Sequence, residues 1–184
     1  MGLSGRVIVT RQIRNLALIG FMGAGKSSVG RFVADRLRFT FLDTDGWIER
    51  RSGKTVSALF AQDGEPAFRE WESKAVAELA TLERIVISTG GGLPVNEANL
   101  ASLKTHALVV YLWASPELLW ERVRHAHHRP LLQDPDPRAK IRSLLAAREP
   151  FYRQADAVVS TERHSVAEVA RQVVTQFRTR QPTP

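Results

Sequence analysis

The sequence predicts an α/β protein: a doubly wound, five-stranded parallel sheet flanked by helices. Three observations carry that expectation. Short apolar runs alternate along the chain with stretches of helical spacing. The runs lack the apolar–polar alternation of half-exposed strands, as strands buried on both faces must. Glycine- or aspartate-rich stretches follow the first three runs, at the carboxyl edge where open α/β sheets bind ligands. At 184 residues the chain is one domain's worth. A chain of that size buries roughly 70% of its unfolded surface and needs no disulfide or metal staple.

The elements follow in order. Residues 15–20 (NLALIG) form the first strand, and 27–37 a helix in which Val29, Phe32, Val33 and Leu37 recur at helical spacing. Residues 39–42 are the second strand. Residues 54–62 and 66–82 read as helices, the latter with Pro66 in its first turn, where a missing N–H costs nothing. Residues 84–88 and 107–113 give the third and fourth strands. Ser115 is placed to N-cap a helix beginning at Pro116. A helix over 138–154, a fifth strand over 157–160 and a closing helix over 165–178 complete the set. Residues 125–137 hold Pro130, Pro135 and Pro137 and are expected to be a surface loop. The first dozen residues and the tail from Thr179 are expected to fray, and residues 1–14 have no assigned role.

Composition excludes several classes of function. There is no cysteine, so no disulfide framework, Cys-ligated metal site or thiol chemistry. No apolar run approaches the ~18 residues of a membrane span, and the N-terminus lacks a secretory signal pattern. A cytoplasmic location is expected. The net charge is +7, and 21 of the 26 basic residues are Arg. They are scattered from Arg6 to Arg180 with no nucleic-acid motif among them, so neither a nucleic-acid nor a membrane partner is expected. Arg does suit bidentate grip on phosphate and carboxylate.

The chemistry lies in the loops. Gly20-Phe-Met-Gly-Ala-Gly25-Lys26-Ser27 matches G-x-x-x-x-G-K-[ST] directly after a strand and at the start of a helix. Main-chain amides of Gly23, Ala24, Gly25, Lys26, Ser27 and Ser28 are expected to surround a nucleotide's phosphates at the helix N-terminus. Lys26 reaches the β- and γ-phosphoryl oxygens, and Ser27 offers a hydroxyl to Mg²⁺. With glycine at about 7% of residues, the four fixed positions arise by chance in well under ~5% of such chains.

Asp43 and Asp45 leave the second strand at i and i+2. One can assist Mg²⁺, and the other can meet a second substrate as hydrogen-bond acceptor or general base; either could instead be a helix cap. Arg69 and Glu72 share a helix face, either as a solvated ion pair or as an arginine held for an anionic substrate. Gly90, Gly91 and Gly92 follow the third strand, where glycine permits close approach and positive φ. Arg129, in the proline-rich loop, is placed to stabilise charge on closure. His125, His127 and His128 read as solvated loop residues.

As a set, GFMGAGKSSVGR, LDTDGWIE, LFAQDGEPAFREWE, STGGG, RPLL and AAREPFYR resemble the shikimate kinases, in the same order and over residues 15–178. The resemblance implies a P-loop NTPase of the nucleoside monophosphate kinase-like kind, forming a single kinase domain over 1–184. Within it lie a substrate-binding region over 44–82, a lid over 125–137 and a tail over 179–184. The implied reaction is ATP-dependent phosphorylation of the 3-hydroxyl of shikimate with Mg²⁺, by a monomer. Shikimate would meet Asp45, Arg69, Gly90, Gly91, Gly92 and Arg148, with Phe60, Phe68 and Glu72 shaping or bracing the pocket. Lys26, Asp45 and Arg129 would be catalytic, Ser27 and Asp43 would hold magnesium, and Arg122 would contact adenine. A kinase-like ligand sensor or another small-molecule kinase of the same fold are the alternatives.

Overall fold

A computed structural model describes residues 11–124 and 134–180. Five parallel strands lie in the order β2-β3-β1-β4-β5: β1 (Asn15–Ile19), β2 (Thr40–Asp43), β3 (Ile85–Ser88), β4 (Ala107–Trp113) and β5 (Ala157–Ser160). Every residue of β1 is buried, which is why its run shows no alternation. The chain runs first to one side of β1 and then to the other. The loop leaving β1 therefore opens at the sheet's topological switch point, between β3 and β4.

Among the described residues seven α-helices connect the strands and an eighth follows the last: α1 (Lys26–Leu37), α2 (Thr44–Ser52), α3 (Val56–Gln62), α4 (Gly64–Leu79), α5 (Glu97–His106), α6 (Pro116–Val123), α7 (Pro137–Tyr152) and α8 (Val166–Arg178). The main core packs both sheet faces against them. A second apolar cluster of Trp47, Ile48, Leu59, Phe68 and Ala75 joins α2, α3 and α4 to one another. These helices all lie between β2 and β3 in sequence, so the insertion carries its own small core.

Three expectations need correction. Pro137 does not interrupt a helix; it opens α7, capped by the Asp136 carboxylate on the Ala139 amide, a position that tolerates proline. Arg11 is not frayed, since its guanidinium grips both Asp156 carboxylate oxygens (2.7 and 2.8 Å) and donates to the Ala107 carbonyl. Thr179 and Arg180 are also held: Thr179 caps α8, and Arg180 donates to the Asp156 carbonyl at 3.2 Å.

At the amino-terminal edge of the sheet, Asn15 and His106 form a buried polar pair. Asn15 donates to Leu82 O (2.7 Å) and accepts from the Ile85 amide (3.1 Å), which fixes its amide orientation. Its Nδ2 then donates to His106 Nδ1 at 3.0 Å, leaving the proton of a neutral imidazole on Nε2. Burial, then the Arg14 and Arg11 charges, holds the His106 pKa below its ordinary 6.5. The unfolded chain therefore binds a proton that the folded one refuses. The contribution to stability is fully present above the unfolded pKa and falls away as pH drops towards the folded one. Thermal melts from pH 7 to pH 5 should show a steeper loss for the natural protein than for His106→Gln; equal slopes would remove His106 from the account.

Candidate active site

The loop between β1 and α1 turns on left-handed glycines, with φ of 81° at Gly23 and 89° at Gly25. Gly25 is the N-cap of α1 and offers no side-chain cap, so the helix's first amides face the loop's concavity. Lys26 Nζ donates to the Gly20 (2.8 Å) and Phe21 (2.9 Å) carbonyls and so spans the loop it belongs to.

Asp43 takes the helix-cap role left open for it. Its Oδ1 accepts from the Asp45 amide at 3.1 Å and so caps α2, while Oδ2 accepts from Ser27 Oγ at 3.0 Å. Capping thus aims the carboxylate at the hydroxyl beside the loop. Strand register brings in a third oxygen: Asp43 pairs with Ser88, whose Oγ lies 3.2 Å from Ser27 Oγ. This donor set of hydroxyls and a carboxylate suits a hard cation such as Mg²⁺. Among the described residues no group of three or more His, Cys, Asp and Glu gathers as a metal site.

The loop after β3 overturns one expectation. None of Gly90, Gly91 and Gly92 has a positive φ; what they supply is bare backbone for close approach. A Cβ on Gly90 would sit 2.7 Å from Asp45 Oδ1 and 3.1 Å from Glu72 Oε1. One on Gly91 would lie 3.7 Å from Arg148 Nη1, and one on Gly92 only 2.5 Å from Arg69 Nη1. The loop is tied down by the Gly90 amide, which donates to Thr44 Oγ1 at 2.8 Å. Successive glycines thus gather a carboxylate from α2 and arginines from α4 and α7.

The Arg69–Glu72 pair is not a solvated one. Arg69 donates to Glu72 Oε2 at 2.7 Å and to Glu65 Oε1 at 2.6 Å, and the Glu72 side chain is only 1% exposed. Burial raises the Glu72 pKa; Arg69 opposes that shift and nearby Asp45 adds to it. Phe68 is buried beneath the Arg69 guanidinium, and Phe60 stacks on Phe68 with centroids 4.7 Å apart. Arg148 lies over the Phe21 ring at 5.7 Å. Arg122, on α6, donates to Gly23 O (3.1 Å) and to Thr161 Oγ1 and O (both 3.0 Å), roofing the phosphate loop.

A cavity of about 370 Å³ joins these parts, lined by the glycine-rich loop from Met22 to Ser28, Asp43, Asp45, residues 88–91 and Arg122. Ala24 is buried behind the loop. Phe60, Phe68, Arg69, Glu72, Gly92 and Arg148 lie outside that lining. Arg129 and the three loop histidines fall outside the described residues. Sequence reasoning missed Met22, Thr44, Ser88, Thr89 and Tyr152. All five stood inside quoted motifs, without a role of their own there.

The shikimate kinase family profile matches residues 22–178. The chain is 48% identical over 158 residues to a shikimate kinase of Thiobacillus denitrificans, covering 85% of this chain and 86% of that one. A shikimate kinase of Cereibacter sphaeroides is 42% identical over 176 residues, covering 96% and 88%. Among solved structures, the shikimate kinase from Acinetobacter baumannii in complex with shikimate superposes with a TM-score of 0.88 at 36% identity, covering 94% of this chain and 97% of that one. The motifs, the five-stranded parallel sheet and the near-complete coverage agree: the chain belongs to the shikimate kinase family.

Proposed function

We propose that the protein transfers the γ-phosphoryl group of ATP to the 3-hydroxyl of shikimate, releasing ADP and shikimate 3-phosphate. One observation carries the residue assignments. Asp45, Arg148 and Arg69 converge on three consecutive glycines, and Asp45 shares a cavity with the phosphate loop. A cyclic polyol bearing a carboxylate asks for those groups: acceptors for hydroxyls at one end and guanidinium forks for the carboxylate at the other.

In this reading the loop amides and Lys26 cradle the phosphates, and Arg122 lies against the adenine. Arg69 and Arg148 hold the shikimate carboxylate, with Glu65 and Glu72 keeping Arg69 in line. Phe60 and Phe68 form the apolar wall, and the triplet lets the ring lie against main chain. Asp45 orients the attacking hydroxyl and receives its proton. Ser27 and Asp43 would hold Mg²⁺, which neutralises charge on the β- and γ-phosphoryl groups. Arg129 adds positive charge as transfer occurs, within a lid over 125–137, and residues 44–82 serve as the acceptor-binding region. A loose phosphoryl transition state needs alignment and cations around its oxygens more than covalent help. The protein acts as a cytoplasmic monomer without nucleic-acid or membrane partners; among the described residues no helix is long and apolar enough to cross a membrane.

Coupled ADP release with shikimate, quinate, gluconate and no acceptor tests the substrate. Only shikimate should support rapid release; equal rates with all of them would refute the assignment, and binding without turnover would favour a ligand sensor. Arg69→Lys tests the carboxylate grip. A lysine cannot span Glu65, Glu72 and a substrate carboxylate with one planar fork. Calorimetric titration should show shikimate binding weakened by ~1.5–3 kcal/mol, as for hydrogen bonds to charged groups, with ADP affinity unmoved. Unchanged shikimate affinity would return Arg69 to a purely structural pair with Glu72.

A further inference from the structure

Tyr152, on the last turn of α7, is fully buried, and its hydroxyl donates to the Gly91 carbonyl at 2.5 Å. Arg148 stands one helical turn earlier on α7, and its charge is felt at the same hydroxyl. One phenol therefore holds the Gly91 peptide beside which the Arg148 guanidinium lies, Nη1 being 3.7 Å from where a Gly91 Cβ would sit. Its ring stacks on Tyr111 of β4 with centroids 5.1 Å apart and planes inclined by 36°. The hydroxyl is thus referenced to the middle of the sheet. Burial, opposed by the Arg148 and Arg69 charges, pushes the Tyr152 pKa up to about 12. The phenol keeps its proton and stays a donor at neutral pH. Tyr111 is the contrast: equally buried, its hydroxyl has no hydrogen-bond partner among the described residues.

We propose that Tyr152 is a positioning residue for shikimate, aiming the Arg148 fork and holding the Gly91 peptide so that both face the acceptor in one fixed arrangement. This rests on the reading of Arg148 and Gly91 as shikimate contacts. Arg148 otherwise leans on the face of Phe21, a contact that restrains distance more than the direction of the guanidinium N–H groups. A fork that must be ordered on binding costs affinity, and a phenol and a peptide fixed beside it order it beforehand.

The experiment is a double-mutant cycle on steady-state kinetics, with Tyr152→Phe, Arg148→Lys and the pair together. Tyr152→Phe should raise the KM for shikimate about fivefold, the weight of a lost hydrogen bond, with kcat and the KM for ATP within about twofold. In the Arg148→Lys background the same change should add almost nothing, because no fork remains to be aimed. Tyr111→Phe removes a hydroxyl from the stacked partner and should leave the shikimate KM as it is. An unchanged shikimate KM in Tyr152→Phe, additive effects in the pair, or equal rises in both KM values would overturn the proposal. A Tyr152→Phe chain too unstable to purify would overturn it as well, by placing the hydroxyl's contribution in folding. If Arg148→Lys alone leaves the shikimate KM untouched, the acceptor-site reading falls and takes this proposal with it. If only Tyr152→Phe is silent, the acceptor-site reading stands.

Discussion

Lys26→Ala is expected to stop turnover in a protein that still folds. The substitution removes two things, and their sizes differ. The hydrogen bonds from Nζ to the Gly20 and Phe21 carbonyls brace the loop. Each such bond contributes about 1 kcal/mol net. The charge offered to a transferring phosphoryl group is worth more, since single cations at such groups change kcat by about 10³-fold or more. The fold should survive because α1 is anchored by Val29, Val33 and Ala34, on the face that packs into the core. ADP release and a thermal melt on the same preparation separate the two effects. A folded variant with near-normal kcat would contradict the assigned role of the loop.

Asp45→Asn should lower kcat by roughly 10²-fold or more, the usual weight of a general base. Asparagine keeps the shape and leaves the main-chain bond from the Asp45 amide to Asp43 in place, so the α2 cap survives. Stability should not fall. Asp45 and Glu72 both crowd Gly90, and each negative charge raises the cost of the other. Melting temperature and kcat should therefore move independently, the first level or slightly higher and the second sharply lower. A raised KM with unchanged kcat would instead make Asp45 a binding residue alone.

The strands were legible because β1 and β4 are buried on both faces and read as unbroken apolar runs. Two helices were not. In α2 the buried positions are Thr44, Trp47 and Ile48, too few for a period to emerge from nine residues. In α5 they are Asn99, Leu100, Leu103 and His106, so half of the inward face is polar and the stripe is hidden. The same physics governs the candidate site. Ser27 and Lys26 announce themselves because one contiguous loop makes the phosphate cradle. Asp43, Asp45 and Arg69 stood out locally with their roles left open, and Arg148 entered only through a family pattern, since nothing local ties the four together. Tyr152 stayed invisible because its partner, the Gly91 carbonyl, is 61 positions away and is main chain, which no pattern of side chains records.

The glycine triplet has a further consequence for how finely the acceptor end is made. Side chains resting on other side chains inherit the slack of two sets of rotamers. Here the ends of Asp45, Glu72, Arg69 and Arg148 abut peptide backbone instead. That backbone continues directly from β3, whose four residues are all buried and which is hydrogen-bonded to β1 and β2. A strand held from both sides has little room to shift, so it acts as a datum against which groups from three helices are gauged. Machining tolerance at the far side of the pocket is then that of the sheet, even though the groups that do the gripping are carried on helices.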